Sequence, residues 1–136
     1  MKKLLFIFIF LFATLTNAQV AVIANKSVPK DKISESELLD IYVGDIKWWD
    51  NGDPVIVHDL ATKENIKSKF YKYLGKSSVR MKSIWLKNML SGEGDPPKAL
   101  DSEEEMLKSI IETVGAIGFI SKDKVVPEVK VLALVE

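Results

Sequence analysis

Short apolar runs alternate with capped amphipathic stretches from residue 20 to the end of the chain. That alternation restricts the fold more than any other feature. VAVIAN (20–25), VIVHD (55–59), GAIGFIS (115–121) and VKVLALV (129–135) have the length and composition of strands, and KAL (98–100) reads as a shorter one. Ser34 with Glu37, and Ser102 with Glu105, form capping boxes in which a hydroxyl accepts a free helix N–H and a carboxylate reaches back. The first box opens a helix with Leu38, Ile41 and Tyr42 on one face, stopped by Gly44. Thr62 is placed to cap a helix carrying Ile66, Phe70, Tyr73 and Leu74, ended by Gly75. Ser77 or Ser78 starts another, with Met81, Trp85, Leu86, Met89 and Leu90 as a wide apolar face. The second box opens a helix striped by Met106, Leu107, Ile110, Ile111 and Val114. The expected order is therefore β-α-β-α-α-(β)-α-β-β. Strands alternating with helices favour a single three-layer α/β domain with a mixed, mostly parallel sheet.

Residues 1–18 precede this pattern. Lys2 and Lys3 lead an apolar run from Leu4 to Leu15 broken only by Thr14, and Thr16-Asn17-Ala18 supplies small residues for cleavage. We read 1–18 as a secretory signal peptide and 19–136 as the exported domain. The run is too short to cross about 30 Å of hydrocarbon, so no membrane span is expected after cleavage. The chain has no cysteine, so burial alone must hold the exported domain. Signal and composition together point to the periplasm, with release to the outside as the alternative.

Charge and residue types narrow the function. The formal net charge of the whole chain is zero, which disfavours a general nucleic-acid binder. Residues 62–87 nonetheless hold seven lysines, one arginine and one acid, whereas 93–112 hold seven acids and two lysines. A single histidine and no cysteine leave no zinc set and no thiolate nucleophile. Asp45, Asp50, Asp53 and Asp59 lack the spacing of a calcium loop and read as turn and solvent-facing residues. No nucleophile elbow is present. We therefore expect no catalytic residue, no metal and no cofactor, and no enzyme.

Trp48-Trp49 stand before Asp50-Asn51-Gly52-Asp53-Pro54, a dense turn cluster. One indole is expected to pack into the core while the other covers the turn. Gly115 and Gly118 in GAIGFIS are expected where backbone or ligand comes close.

In this order NKSVP (25–29), ISESELLDIYVGDIKWWDNGDPVIV (33–57), KFYKYLG (69–75) and GAIGFIS resemble the phosphate-binding subfamily of periplasmic solute-binding proteins. The likeness rests on Ile41-Tyr42-Val43-Gly44 followed by Trp48 or Trp49, and on Gly115-Ala116-Ile117-Gly118-Phe119. It covers nearly all of 20–135 and implies one lobe of a type II periplasmic binding protein: a hinge strand plus the second lobe. The family grips its anion with an Arg-x-x-x-Ser-Gly-Thr pattern. Here Leu60 falls near the arginine and Glu64-Asn65-Ile66 near Ser-Gly-Thr, so that grip is not preserved. The resemblance implies phosphate or another small oxyanion as ligand, held at a helix start by Thr62, Lys63 and Asn65 with His58 at the strand end, and a transporter or envelope protein as partner. The alternative is a ligand-free interaction domain in an envelope assembly, using the basic 62–87 face or the tryptophan edge.

Overall fold

The computed structural model describes residues 19–61 and 65–136. The signal peptide reading of 1–18, and Thr62 and Lys63, lie outside the described residues. Five strands form one sheet: β1 (Val20–Ala24), β2 (Ile56–Leu60), β3 (Lys98–Leu100), β4 (Ala116–Ser121) and β5 (Lys130–Val135). Four helices accompany them: α1 (Glu35–Val43), α2 (Asn65–Tyr73), α3 (Ser78–Ser91) and α4 (Glu103–Glu112). The order along the chain is the expected one.

Across the sheet the strands run β3-β2-β4-β1-β5. β2 is parallel to both β3 and β4, while β1 is antiparallel to both β4 and β5. Four strands thus share a direction and β1 alone opposes them, which makes the sheet mixed but mostly parallel. β1 is buried along its whole length, as an apolar run with neighbours on both edges must be. The crossover from β2 to β3 uses α2 and α3, and that from β3 to β4 uses α4. Adjacent residues of β4 separate the two outer layers. A Cβ on Gly118 would lie 2.5 Å from Met106 Sδ of α4. Phe119, on the opposite face, stacks on Phe70 of α2 with ring centroids 4.0 Å apart.

Local chemistry accounts for the helix ends. Ser34, Ser77 and Ser102 hydroxyls accept from the N–H groups of Glu37, Arg80 and Glu105. At the far end of α4 the Asn25 amide donates to the Ile110 and Ile111 carbonyls at 2.8 and 3.0 Å, closing a C-terminus that has no left-handed glycine. The loop after β1 therefore acts as a helix cap.

The tryptophan pair divides as the sequence suggests for one member. Trp49 is 3% exposed and its Nε1–H donates to Gly115 O at 2.9 Å. Trp48 is 64% exposed. Gly115 has φ +76°, and a Cβ there would fall 2.2 Å from Pro54 O. The close approach that both glycines serve is to the protein itself: the Pro54 backbone at Gly115 and helix α4 at Gly118.

Two helical stripes are narrower than periodicity suggests. In α3 only Met81 and Trp85 are buried, while Leu86, Met89 and Leu90 are exposed. In α4 Met106 and Ile110 are buried while Ile111 is exposed, and Val114, expected on the same stripe, is exposed beyond the end of the helix. In α2 Tyr71 takes the buried place expected for Tyr73.

Candidate functional site

In open sheets of this kind a ligand crevice lies outside the carboxyl ends of the parallel strands, where the strand order reverses. Here β3 lies on one side of β2 and β4 on the other, so the reversal falls between β2 and β4. Helix α2 begins at that end with Asn65, which is exposed. Of the expected ligand residues, Asn65 therefore lies at the end of the sheet where such a crevice would open. His58 does not reach it. Its ring is fully buried, with Nδ1 2.9 Å from Ile56 O and Nε2 2.8 Å from Ser109 Oγ of α4. A carbonyl can only accept, so Nδ1 carries the proton and Nε2 accepts from the hydroxyl. Burial lowers the His58 pKa, in agreement with a neutral ring. His58 ties β2 to α4 and leaves no ring nitrogen facing solvent.

The residue after it dominates the site. Asp59 is 4% exposed. Its Oδ1 accepts from the Tyr71 hydroxyl at 2.5 Å and its Oδ2 from Lys67 Nζ at 3.3 Å. Lys67 also donates to Leu60 O at 2.7 Å. Lys67 and Tyr71 are one turn apart on α2, so both reach back onto the strand that precedes the helix. Burial raises the Tyr71 and Tyr42 pKa values, and the Asp59 charge adds to both shifts. The Tyr42 hydroxyl donates to His58 O at 2.7 Å. The cluster is satisfied from within, and no buried side-chain nitrogen or oxygen among the described residues lacks a hydrogen-bond partner. Sequence reasoning assigned Lys67 to the basic 62–87 surface. The structure takes it out of that surface and pairs it with a buried carboxylate. The available signal was the i, i+4 spacing of Lys67 and Tyr71, beside an aspartate at the end of an apolar strand.

A second carboxylate cluster lies at the end of β4. Glu103, in the first turn of α4, accepts from the Ser121 N–H at 2.6 Å and Ser121 hydroxyl at 2.7 Å, and pairs with Lys124 at 2.8 Å. Burial pushes its carboxyl up, but Lys124 and Ser121 together outweigh burial and hold it below the ordinary value. Asp101, Glu104 and Glu105 are exposed at the same end. This end of the sheet is thus rich in negative charge among the described residues, and both buried carboxylates there are held by the protein's own cations.

A cleft of about 450 Å³ lies elsewhere, between the end of α1, the start of β2 and the 93–98 segment, with Lys47, Asn88 and Lys98 among its polar lining. It opens toward the amino ends of β2 and β3, away from the start of α2. No group of three or more His, Asp or Glu side chains among the described residues could hold a metal ion. No helix among them is long and apolar enough to cross a membrane.

No family model and no curated protein matches this chain. Solved structures do. A candidate phosphate ABC transporter substrate-binding protein from Clostridium perfringens, with bound phosphate, superposes at a TM-score of 0.69 and 20% identity, over 85% of this chain and 45% of its own. An ABC-type phosphate transport receptor from Vibrio cholerae gives 0.66 and 20%, over 85% and 46%. PstS from Borrelia burgdorferi gives 0.56 and 15%, over 77% and 42%. The chain spans less than half the length of the structures it matches. Its fold is that of one lobe of the PstS-type phosphate-binding proteins.

Proposed function

We propose that this chain is an exported binding module of the phosphate-receptor type, which holds phosphate or a related small oxyanion for uptake or sensing in the periplasm. The observation that carries the reading is the placement of the α2 start at the strand-order reversal, in a fold shared with proteins described as phosphate receptors. Backbone N–H groups of a helix start and its dipole favour an anion there. Thr62 would contribute a hydroxyl, Lys63 a charge and Asn65 an amide donor; His58 has an internal role. A lone lobe offers an open groove, so affinity stays low unless a second body closes over it. Calorimetry of the purified protein with phosphate, sulfate and arsenate tests this. Binding at millimolar or tighter levels, weakened in Lys63→Glu, is expected. No heat and no rise in melting temperature with any of the three anions refutes it.

One observation favours a second reading, an interaction domain that ignores anions: both buried carboxylates beside the crevice already have cations, and the exposed acids there repel an oxyanion. Under that reading the protein folds, shows no anion response and works through a protein-binding surface.

A further inference from the structure

Helix α3 carries two apolar arcs and the domain covers only one. At about 100° per residue, Met81 and Trp85 lie on the arc packed inward, and the Trp85 indole N–H donates to Tyr42 O at 2.7 Å. The opposite arc holds Val79, Leu86 and Leu90, which are 73%, 51% and 77% exposed, with Ser83 between them. Their spacing of 7 and 4 residues places them in one ridge along the helix. Met89 flanks the ridge, and Leu86 and Met89 form one wall of a groove of about 250 Å³ whose other wall is Pro96, Pro97 and Ala99. A surface helix normally presents charge opposite its buried stripe. This one presents leucine, bordered by Lys82 on one flank and by Arg80 and Lys87 on the other, all exposed. α3 contains no acidic residue; the nearest in sequence, Glu93 and Asp95, lie in the loop beyond its end.

We infer that the outer face of α3 is a docking site for an acidic amphipathic helix of a partner protein, whose apolar residues lie along Leu86 and Leu90 while its carboxylates pair with Lys82, Lys87 and Arg80. Charge selects this occupant over the alternatives. A second copy docking α3 against α3 would bring both sets of three cations together. A membrane surface would suit the cations, but the ridge has none of the aromatic residues that anchor at a headgroup boundary, and the one tryptophan of α3 faces inward. Straight apolar ridges of this spacing suit helix-on-helix packing. The inference does not depend on oxyanion binding, because no residue of the ridge belongs to 58–65.

The test is a titration of the purified protein with a fluorescent helical peptide of about 16 residues, with leucines at i, i+3 and i+7 and glutamates on both flanks. Saturable binding is expected, weakened by salt and weakened at least about tenfold by Leu86→Ser with Leu90→Ser. Lys82→Glu with Lys87→Glu should lose the glutamate peptide and gain a lysine-flanked counterpart. These positions are exposed, so melting temperature should hold in both variants. The inference is overturned by no binding by the wild-type protein, by binding unchanged in both variants, or by binding only to phosphatidylglycerol vesicles. Self-association in sedimentation that the leucine variants abolish, without peptide binding, also overturns it. Calorimetry with phosphate is a separate measurement, so failure of either reading is visible without the other.

Discussion

The carboxyl ends of β2 and β4 each hold a nearly buried carboxylate, and the two are solved differently. Asp59 is enclosed with its cation: the Asp59 and Lys67 side chains are 6% and 7% exposed, and the tyrosine that completes the set is buried as well. Glu103 is as buried as Asp59, but its cation is not, since the Lys124 side chain is 45% exposed. In the first cluster both ions have left water, and only their mutual geometry offsets that loss. In the second the cation keeps its hydration, and the Ser121 N–H and hydroxyl carry much of the load. The lesson is that equal burial of two acids does not mean equal cost of losing a partner.

Removing Asp59 breaks the comparison most severely. Asp59→Ala leaves the Lys67 ammonium buried with the Leu60 carbonyl as its remaining hydrogen-bond partner among the described residues, a loss of about 3–5 kcal/mol in unfolding free energy. Adding Lys67→Met to it should cost far less than the sum of the single changes, because the stranded charge is gone. Urea melts of the three variants measure this; additive losses would mean the pair is not coupled. Tyr71→Phe is the next step down. It deletes one bond to an ionised acceptor in a dry site and should cost about 2 kcal/mol. A loss near zero would show that water or a neighbour replaces the hydroxyl.

This asymmetry was only partly legible in the sequence. Element order was legible because three of the four helices announce themselves with a serine cap, and each strand is a short apolar run. Ser34, Ser77 and Ser102 behave as such caps. What periodicity cannot supply is the partner across the fold. A lysine in α2 reads as solvent-facing until an aspartate eight residues earlier is known to point under the helix. His58 reads as a ligand residue at a strand end because the run VIVHD closes at the next position, yet the strand continues to Leu60 and α4 covers that face, with Ser109 supplying a partner 51 residues away. α3 shows the same limit in reverse: its apolar residues cover most of its circumference, and nothing local says which arc the domain will use. The glycines of GAIGFIS were readable as sites of close approach. That they receive Pro54 and Met106 is a tertiary fact. The start of α2 was readable as a candidate site because the Thr62–Asn65 stretch follows an apolar strand, whereas the carboxylate clusters around it draw members from β2, α2, α4 and the end of β4.

Acid separates the two strand ends further. His58 sits beside Asp59 and its pKa is lowered from 6.5, by burial and then by the nearby Lys98 charge. The unfolded chain binds the proton first, so this contribution is complete above about pH 6.5 and is lost as pH falls toward the folded value. The slope in that window is at most about 1.4 kcal/mol per pH unit for one proton. His58→Gln should flatten it in melts taken between pH 7 and pH 5; an unchanged slope would assign that window to another group.

Glu103 produces the smallest and most acidic effect. Its folded pKa lies below 4.5, so its contribution is present above that value and disappears as pH falls through the folded value, when the carboxylate shared by Ser121 and Lys124 takes up a proton. Glu103→Gln at neutral pH keeps the shape and one acceptor but removes the charge, and should cost about 1 kcal/mol. Because Lys124 is hydrated, part of that cost should shrink in high salt, whereas the Asp59→Ala loss should not respond to salt. Thermal melts of both variants across ionic strength make that the sharpest form of the comparison. Equal salt responses would mean that the exposure of Lys124 has no bearing on how the β4 end is held.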